Sequence, residues 1–335
     1  MSEPVATLPI GQDEAIRAFR AAMDSGALHH AWLFNGPQGV GKGSFARIAA
    51  MRLLAEAARP GVLPNGFDVP DDDPTRRMIA AGSHPDYRLL TRLPKDADKP
   101  EGDTARSITI AQVRALQPMF ATKPSMSAAR VVLIDAIDDL ERPGASNALL
   151  KNLEEPPAGT IFILVSHAPG RLLPTIRSRC RQLRFDALDD EAMRVVLARA
   201  LPEASADELT ALIAAGEGSP GRALGYAGLD MAKLDAAMAS IAADGDPGNG
   251  ARGKLAKALS LKAAQPRYEA FLDRVPGFIA DHAADRSGEP LRIALDAYDA
   301  ARALSISARA LSLDQQATVY EMAGLVARLA PPRLQ

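Results

Sequence analysis

Phe34-Asn35-Gly36-Pro37-Gln38-Gly39-Val40-Gly41-Lys42-Gly43-Ser44 is the stretch on which the reading of this chain turns. An apolar run, Ala31-Trp32-Leu33-Phe34, precedes it, and a helical pattern, Phe45-Ala46-Arg47-Ile48-Ala49-Ala50, follows it. Strand, glycine-rich loop and helix in that order make a phosphate-binding P-loop: backbone N–H groups turn inward around a phosphate and a lysine adds a point charge. Gly36, Gly41 and Lys42 match G-x-x-x-x-G-K-[ST], with Gly39 inside the loop, but Gly43 stands where the Mg²⁺-binding hydroxyl belongs. Ser44 comes one position late, so on a helix its hydroxyl points about 100° away. The bland alternative is a strand-to-helix turn without ligand; the flanking elements favour descent from a P-loop NTPase. Residual binding of ATP or ADP and its loss are both compatible with these residues.

Working outward, Ile10-Gly11-Gln12 opens a helical segment through Met23, with Ala15, Ile16, Phe19 and Met23 on one face. The helix after the loop is expected to run to about Ala58. Residues 60–105 read as a long irregular connection holding Asp71-Asp72-Asp73, Pro94 and Pro100, with a short strand expected around 84–90. A connection this long inside a compact domain is unusual and tends to be functional or mobile. A helix over 111–120 follows, with Val113, Leu116 and Met119 on one face. Arg130-Val131-Val132-Leu133-Ile134-Asp135 and Thr160-Ile161-Phe162-Ile163-Leu164-Val165-Ser166 read as strands buried on both faces, as in a parallel sheet. Between them lies a helix over 145–154 that Pro156-Pro157 stops. A helical turn over 174–178 and a last strand over 180–185 complete an α/β pattern for residues 1–185.

Past Phe185 the strand signal stops. Helices are expected over 191–200 and 206–215, with a turn helix capped by Ser219 and opened by Pro220. Asp244-Gly245-Asp246-Pro247-Gly248-Asn249-Gly250 is turn or linker chemistry. Beyond it, Tyr268, Phe271, Leu272, Val275, Phe278 and Ile279 form a helical stripe that Pro276 should kink, and Val319, Met322, Val326 and Leu329 form another. Such stripes are more often core than partner surface.

The whole composition narrows the function classes. With 335 residues, 47% of them hydrophobic, the chain can bury more than one core. A net charge of −2 and 4% aromatic residues disfavour a stand-alone nucleic-acid-binding protein. The lone cysteine, Cys180, rules out a disulfide framework and fits a reducing cytosol; it is read as a small buried residue. The start, MSEPVATLPIGQDEA, lacks the pattern of a signal peptide, and no apolar run reaches the ~18 residues of a membrane span. The five histidines, His29, His30, His84, His167 and His282, match no metal spacing and are read as structural.

The residues of the expected site are incomplete for catalysis. Asp135 ends a strand where a carboxylate would hold Mg²⁺ through water. The next residue is Ala136, a methyl group where a general base would polarise the attacking water. Asp138 and Asp139 are read as exposed helix-start carboxylates. With metal ligand and base both lost, slow or absent hydrolysis is the expectation. Ser178-Arg179-Cys180 offers a guanidinium that could reach another subunit's γ-phosphate, while a solvated basic edge with Arg171, Arg177, Arg181 and Arg184 is the plain alternative.

Taken together, GPQGVGKGS, RVVLIDAIDDL, SNALLKNLEEPP, FILVSH and RSRC occur in the order and spacing of clamp-loader AAA+ proteins, which the chain resembles along essentially its whole length. The resemblance implies an AAA+ α/β domain over residues 1–185, a small helical lid over 186–240 and an all-α collar over 241–335 that oligomerises. It implies a cytoplasmic clamp-loader subunit of the bacterial DNA polymerase III holoenzyme, a DNA-directed DNA polymerase, acting in DNA replication. It also implies partners: motor ATPase and delta-type subunits in a hetero-oligomeric ring and, through them, the sliding clamp and primed DNA. Such a stationary subunit would carry a degenerate nucleotide site (Gly36, Gly39, Gly41, Lys42, Gly43, Ser44, Asp135) and offer Arg179 as an arginine finger in trans. The alternative is an active motor that tolerates Gly43 and Ala136. Ser166 or His167 falls at the sensor-1 region. Arg222 falls one place beyond the usual sensor-2 arginine. Many relatives carry a four-cysteine zinc module before the second strand; residues 60–105 hold no cysteine, so no zinc is expected.

Overall fold

A computed structural model describes residues 8–96, 98 and 104–331. The leader reading at residues 1–7 and Pro100 of the long connection lie outside the described residues. The chain divides into two compact units, Met1–Ala192 and Met193–Gln335.

The first unit is built on five parallel strands: β1 (Ala31–Asn35), β2 (Tyr87–Leu90), β3 (Arg130–Asp135), β4 (Thr160–Ser166) and β5 (Arg181–Arg184). Their order across the sheet is β2-β3-β4-β1-β5. Alternation along β1 shows why its run is apolar throughout. Ala31 and Leu33 face a core that includes Val132, Ile134, Phe162 and Leu164. Trp32 and Phe34 face the other way, into a cluster with Phe19, Phe45, Phe67 and Phe185. Aromatics are only 4% of the chain, yet this one layer beside the glycine loop collects Trp32 and five phenylalanines. Edge-to-face pairs such as Phe19 and Trp32, with centroids 4.9 Å apart, add about 0.5–1.5 kcal/mol each beyond burial.

Helices cover both faces. α1 (Asp13–Asp24) buries Ala15, Phe19 and Ala22, and α2 (Lys42–Ala58) carries Phe45 and Ile48 into the core. The described part of residues 60–105 is less irregular than its composition suggests. It holds α3 (Pro74–Ala80), started by Asp73, whose carboxylate accepts from Thr75 N at 2.7 Å while Pro74 takes the first turn. The expected single helix over 111–120 is two short ones, α4 (Ile110–Arg114) and α5 (Gln117–Phe120), with Pro118 in the first turn of the second. α4 opens on a reciprocal cap between Thr109 and Gln112. α6 (Gly144–Glu154) and α7 (Pro174–Arg177) follow, and the last strand is shorter than the 180–185 expected.

Among its described residues the second unit is all helical. It begins within α8 (Asp190–Ala200) and continues with α9 (Ala206–Gly216), α10 (Pro220–Gly225), α11 (Met231–Asp244), α12 (Gly250–Leu259), α13 (Gln265–Ala283), α14 (Gly288–Leu311) and α15 (Gln315–Ala327). Ser219 caps α10 as its sequence implies, accepting from Arg222 N at 3.2 Å. Residues 244–250 form a tight turn: Gly245 takes a left-handed φ of 71°, and Asp246 accepts from Ala251 N and Arg252 N. Both stripes are buried, from Tyr268 to Ile279 and from Val319 to Leu329, and α13 is helical on both sides of Pro276. Among the described residues no helix is long and apolar enough to cross a membrane.

Candidate nucleotide site and its surroundings

The glycine loop leaves the C-terminal end of β1 and enters α2, the crevice position where parallel sheets place ligands. Gly36 admits no side chain, because a β-carbon there would collide with the carbonyl oxygen of Phe185. Gly41 precedes α2 with a φ of 99°, a left-handed value that frees the first helical amides. Lys42 is 2% exposed, and its Nζ donates to the carbonyl oxygen of Gly36 at 2.7 Å and to that of Pro37. Burial pushes its amine down to about 8, opposed by the nearby carboxylates of Asp135 and Asp138.

Asp135 ends β3, one strand removed from the loop in the sheet order. Its Oδ2 accepts from Arg47 NH1 at 3.0 Å. Gly43 is what lets them meet there. A β-carbon on Gly43 would lie 2.5 Å from Asp135 Oδ2 and 3.1 Å from Arg47 NH1. Ser44 is exposed, and Ala136 is buried with no side-chain acceptor to offer. The residues present therefore do not fit the Mg²⁺ that an ATP-hydrolysing P-loop needs: the hydroxyl is missing and the carboxylate is held by a guanidinium.

Asp138 differs from the exposed helix-start carboxylate expected of it. It accepts from Ser166 Oγ at 3.0 Å, His167 N at 2.7 Å and Ala168 N at 3.2 Å, gathering the end of β4. A tertiary tie of this kind has no local signature. Asp139 pairs with Arg92 at 3.2 Å. Burial, then Lys42, pushes the His167 imidazole below its usual value. His29, His30, His84 and His282 each hydrogen-bond backbone through a ring nitrogen. Burial pushes the Cys180 thiol up to about 12.

Arg179 is not part of this cluster. It lies just before β5, at the N-terminal end of that strand, whereas the loop follows the C-terminal end of the parallel β1. Four residue steps along β1, about 13 Å of strand, separate Gly36 from Trp32, which pairs with Arg181. Arg179 donates to Thr175 O at 2.8 Å and pairs with Glu154 Oε1 at 2.7 Å, with a third of its side chain exposed. Of the surrounding arginines, Arg181 lies over the Trp32 ring and Arg184 pairs with Asp186. Within the second unit, Arg222 pairs with Glu217 at 2.6 Å.

The family model described as "DNA polymerase III, delta subunit" matches residues 11–189, more than half of the chain. The chain belongs to that family. This delta-subunit family member is 38% identical over 191 residues to the DNA polymerase III subunit delta' of Pseudomonas aeruginosa, which covers 57% of this chain and 53% of that one. It is 31% identical over 182 residues to the corresponding Bacillus subtilis delta' subunit, 54% of this chain and 50% of that one. The gamma/tau subunit of Mycobacterium tuberculosis is 35% identical over 190 residues, 57% of this chain and 30% of the other. The matches thus span about half the length of the delta' relatives and under a third of gamma/tau. Among solved structures, a gamma subunit-related protein from Thermotoga maritima covers 93% of this chain and 98% of its own at 16% identity, TM-score 0.44. The RuvB branch-migration motor of the same organism covers 94% and 87% at 15% identity, TM-score 0.43.

Proposed function

We propose that this chain is the delta-prime subunit of a bacterial DNA polymerase III clamp loader. In this reading it is the stationary member of the ring that opens the sliding clamp and sets it on primed DNA. Its own site is a degenerate AAA+ nucleotide site, and Arg179 completes the ATP site of an adjacent motor subunit. The residues past 185 serve as lid (186–240) and oligomerising collar (241–335), and the subunit works in the cytoplasm.

One observation carries the reading. The carboxylate that should hold Mg²⁺ is paired with Arg47 above a glycine, while Arg179 stands at the other end of the parallel strands, a third of its side chain exposed. A guanidinium so placed is remote from its own P-loop and open to a neighbour, where it can stabilise charge on a transferring phosphoryl group. Lys42 keeps the loop's positive charge, so the site retains affinity for ATP or ADP without the parts for turnover.

The test is reconstitution with the motor and delta-type subunits. Arg179→Ala should leave assembly intact and lower the loader's ATP turnover about a thousandfold at the completed site. Unchanged turnover would refute the finger. Hydrolysis by the isolated chain that disappears in Lys42→Ala would refute the degenerate site and make the chain an active motor.

A further inference from the structure

The Asp135–Arg47 pair has a specific meaning for what the loop binds. Arg47 lies four residues after Gly43 on α2, so the two share a face, and side chains on a helix lean toward its N-terminus. The Arg47 guanidinium therefore reaches back over the position where a Ser or Thr side chain would stand. The close approach of Asp135 Oδ2 and Arg47 NH1 to the missing β-carbon shows that this volume is already taken. Two features that a metal needs are replaced by one ion pair.

Mg²⁺ is small, asks for six oxygen ligands and is held in such sites by a hydroxyl, a carboxylate through water and phosphate oxygens. Here a guanidinium stands beside the carboxylate and opposes a dication by like charge. We infer that this P-loop takes the phosphates of a nucleoside diphosphate without any divalent metal, Arg47 standing beside Asp135 as the fixed cation in the metal's place. The inference rests on the degenerate-site reading above and deepens it.

The remaining parts suit an anion. The N-terminus of a 17-residue helix faces the loop, and Lys42 is enclosed there with its Nζ on two loop carbonyls. An entering phosphate exchanges those two carbonyls for charged oxygens. The diphosphate is preferred on charge. A triphosphate brings one more negative charge toward Asp135, and no metal bridges the two.

The test is equilibrium binding of a fluorescent ADP to the isolated full-length chain, in excess Mg²⁺ and in EDTA. The wild type should give the same Kd in both, within about threefold, and bind the ATP analogue more weakly in EDTA. Arg47→Met should weaken binding in EDTA by about tenfold or more, while Arg47→Lys, which keeps the charge, should stay within a few-fold. Gly43→Ser should force the pair apart and make binding depend on Mg²⁺. The inference is overturned if Mg²⁺ tightens the wild type about tenfold, or if no nucleotide binds in either buffer. Absence of any binding would also remove the residual affinity for ATP or ADP stated above, but neither failure touches the clamp-loader role itself, which is judged by Arg179→Ala in the assembled complex.

Discussion

Asp138→Ala isolates the contribution of the tie at the end of β4. Three donors converge on this half-buried carboxylate: a serine hydroxyl and the backbone amides of His167 and Ala168. A hydrogen bond to a charged group contributes about 1.5–3 kcal/mol, and a buried donor left unpaired costs about 1–3 kcal/mol. The hydroxyl can rotate to another acceptor, but the two amides are fixed by the backbone. The cost is about 3 kcal/mol for alanine and about 2 kcal/mol for Asp138→Asn, whose one acceptor oxygen can serve His167 N but whose NH2 then faces Ala168 N. Trp32 provides the assay: it is the chain's single tryptophan and sits in β1, so its fluorescence in urea follows unfolding of the α/β unit alone. A midpoint for Asp138→Ala within about 0.5 kcal/mol of wild type would refute the tie.

Lys42 gives the α/β unit a pH dependence of known sign. Its amine sits at about 8 when folded and at its higher ordinary value when unfolded, so between the two the unfolded chain binds the extra proton. Stability from this group therefore rises as pH rises from about 8 and is lost as pH falls through 8, and the same urea titration should show this trend in wild type but not in Lys42→Met. Asp73→Ala removes the cap of α3 and the partner of Arg59, and should lower the same midpoint by about 1–2 kcal/mol, whereas Asp73→Asn should recover most of the cap.

What the sequence made legible follows from where the sheet is buried. The runs at 31, 130 and 160 have unbroken apolar interiors because both faces of β1, β3 and β4 are covered, and they stand as strands where expected. Misses fall where a polar residue has a local or tertiary partner. Asp71-Asp72-Asp73 stands in the sequence only as an acidic run within an irregular connection, yet Asp73 followed by Pro74 is a helix start, and its carboxylate is buried. α11 left its stripe in plain view at Met231, Leu234, Met238 and Ile241, spaced for one face of a helix. Gly43 was visible as a loss, but what fills its place depends on Asp135, 88 residues from Arg47, and no local pattern joins those two. Asp138 departs from its expected exposure for the same reason, its partners lying 28–30 residues away. The separation of Arg179 from its own loop needed the strand order and the parallel register.

The place of β1 in that order bears on how the chain is made. Its partners are β4 and β5: Ala31 pairs opposite Phe162, and Trp32 opposite Arg181. During synthesis the apolar run Ala31–Asn35 therefore leaves the ribosome long before either flanking strand exists. At about 5–20 residues per second it waits roughly ten seconds with both edges unsatisfied. Contacts of such long sequence separation close late and leave strand edges open to wrong pairing. The phenylalanines at 19, 45 and 67 emerge with it, so an early aromatic nucleus of α1, β1 and α2 can shelter the strand until β4 arrives.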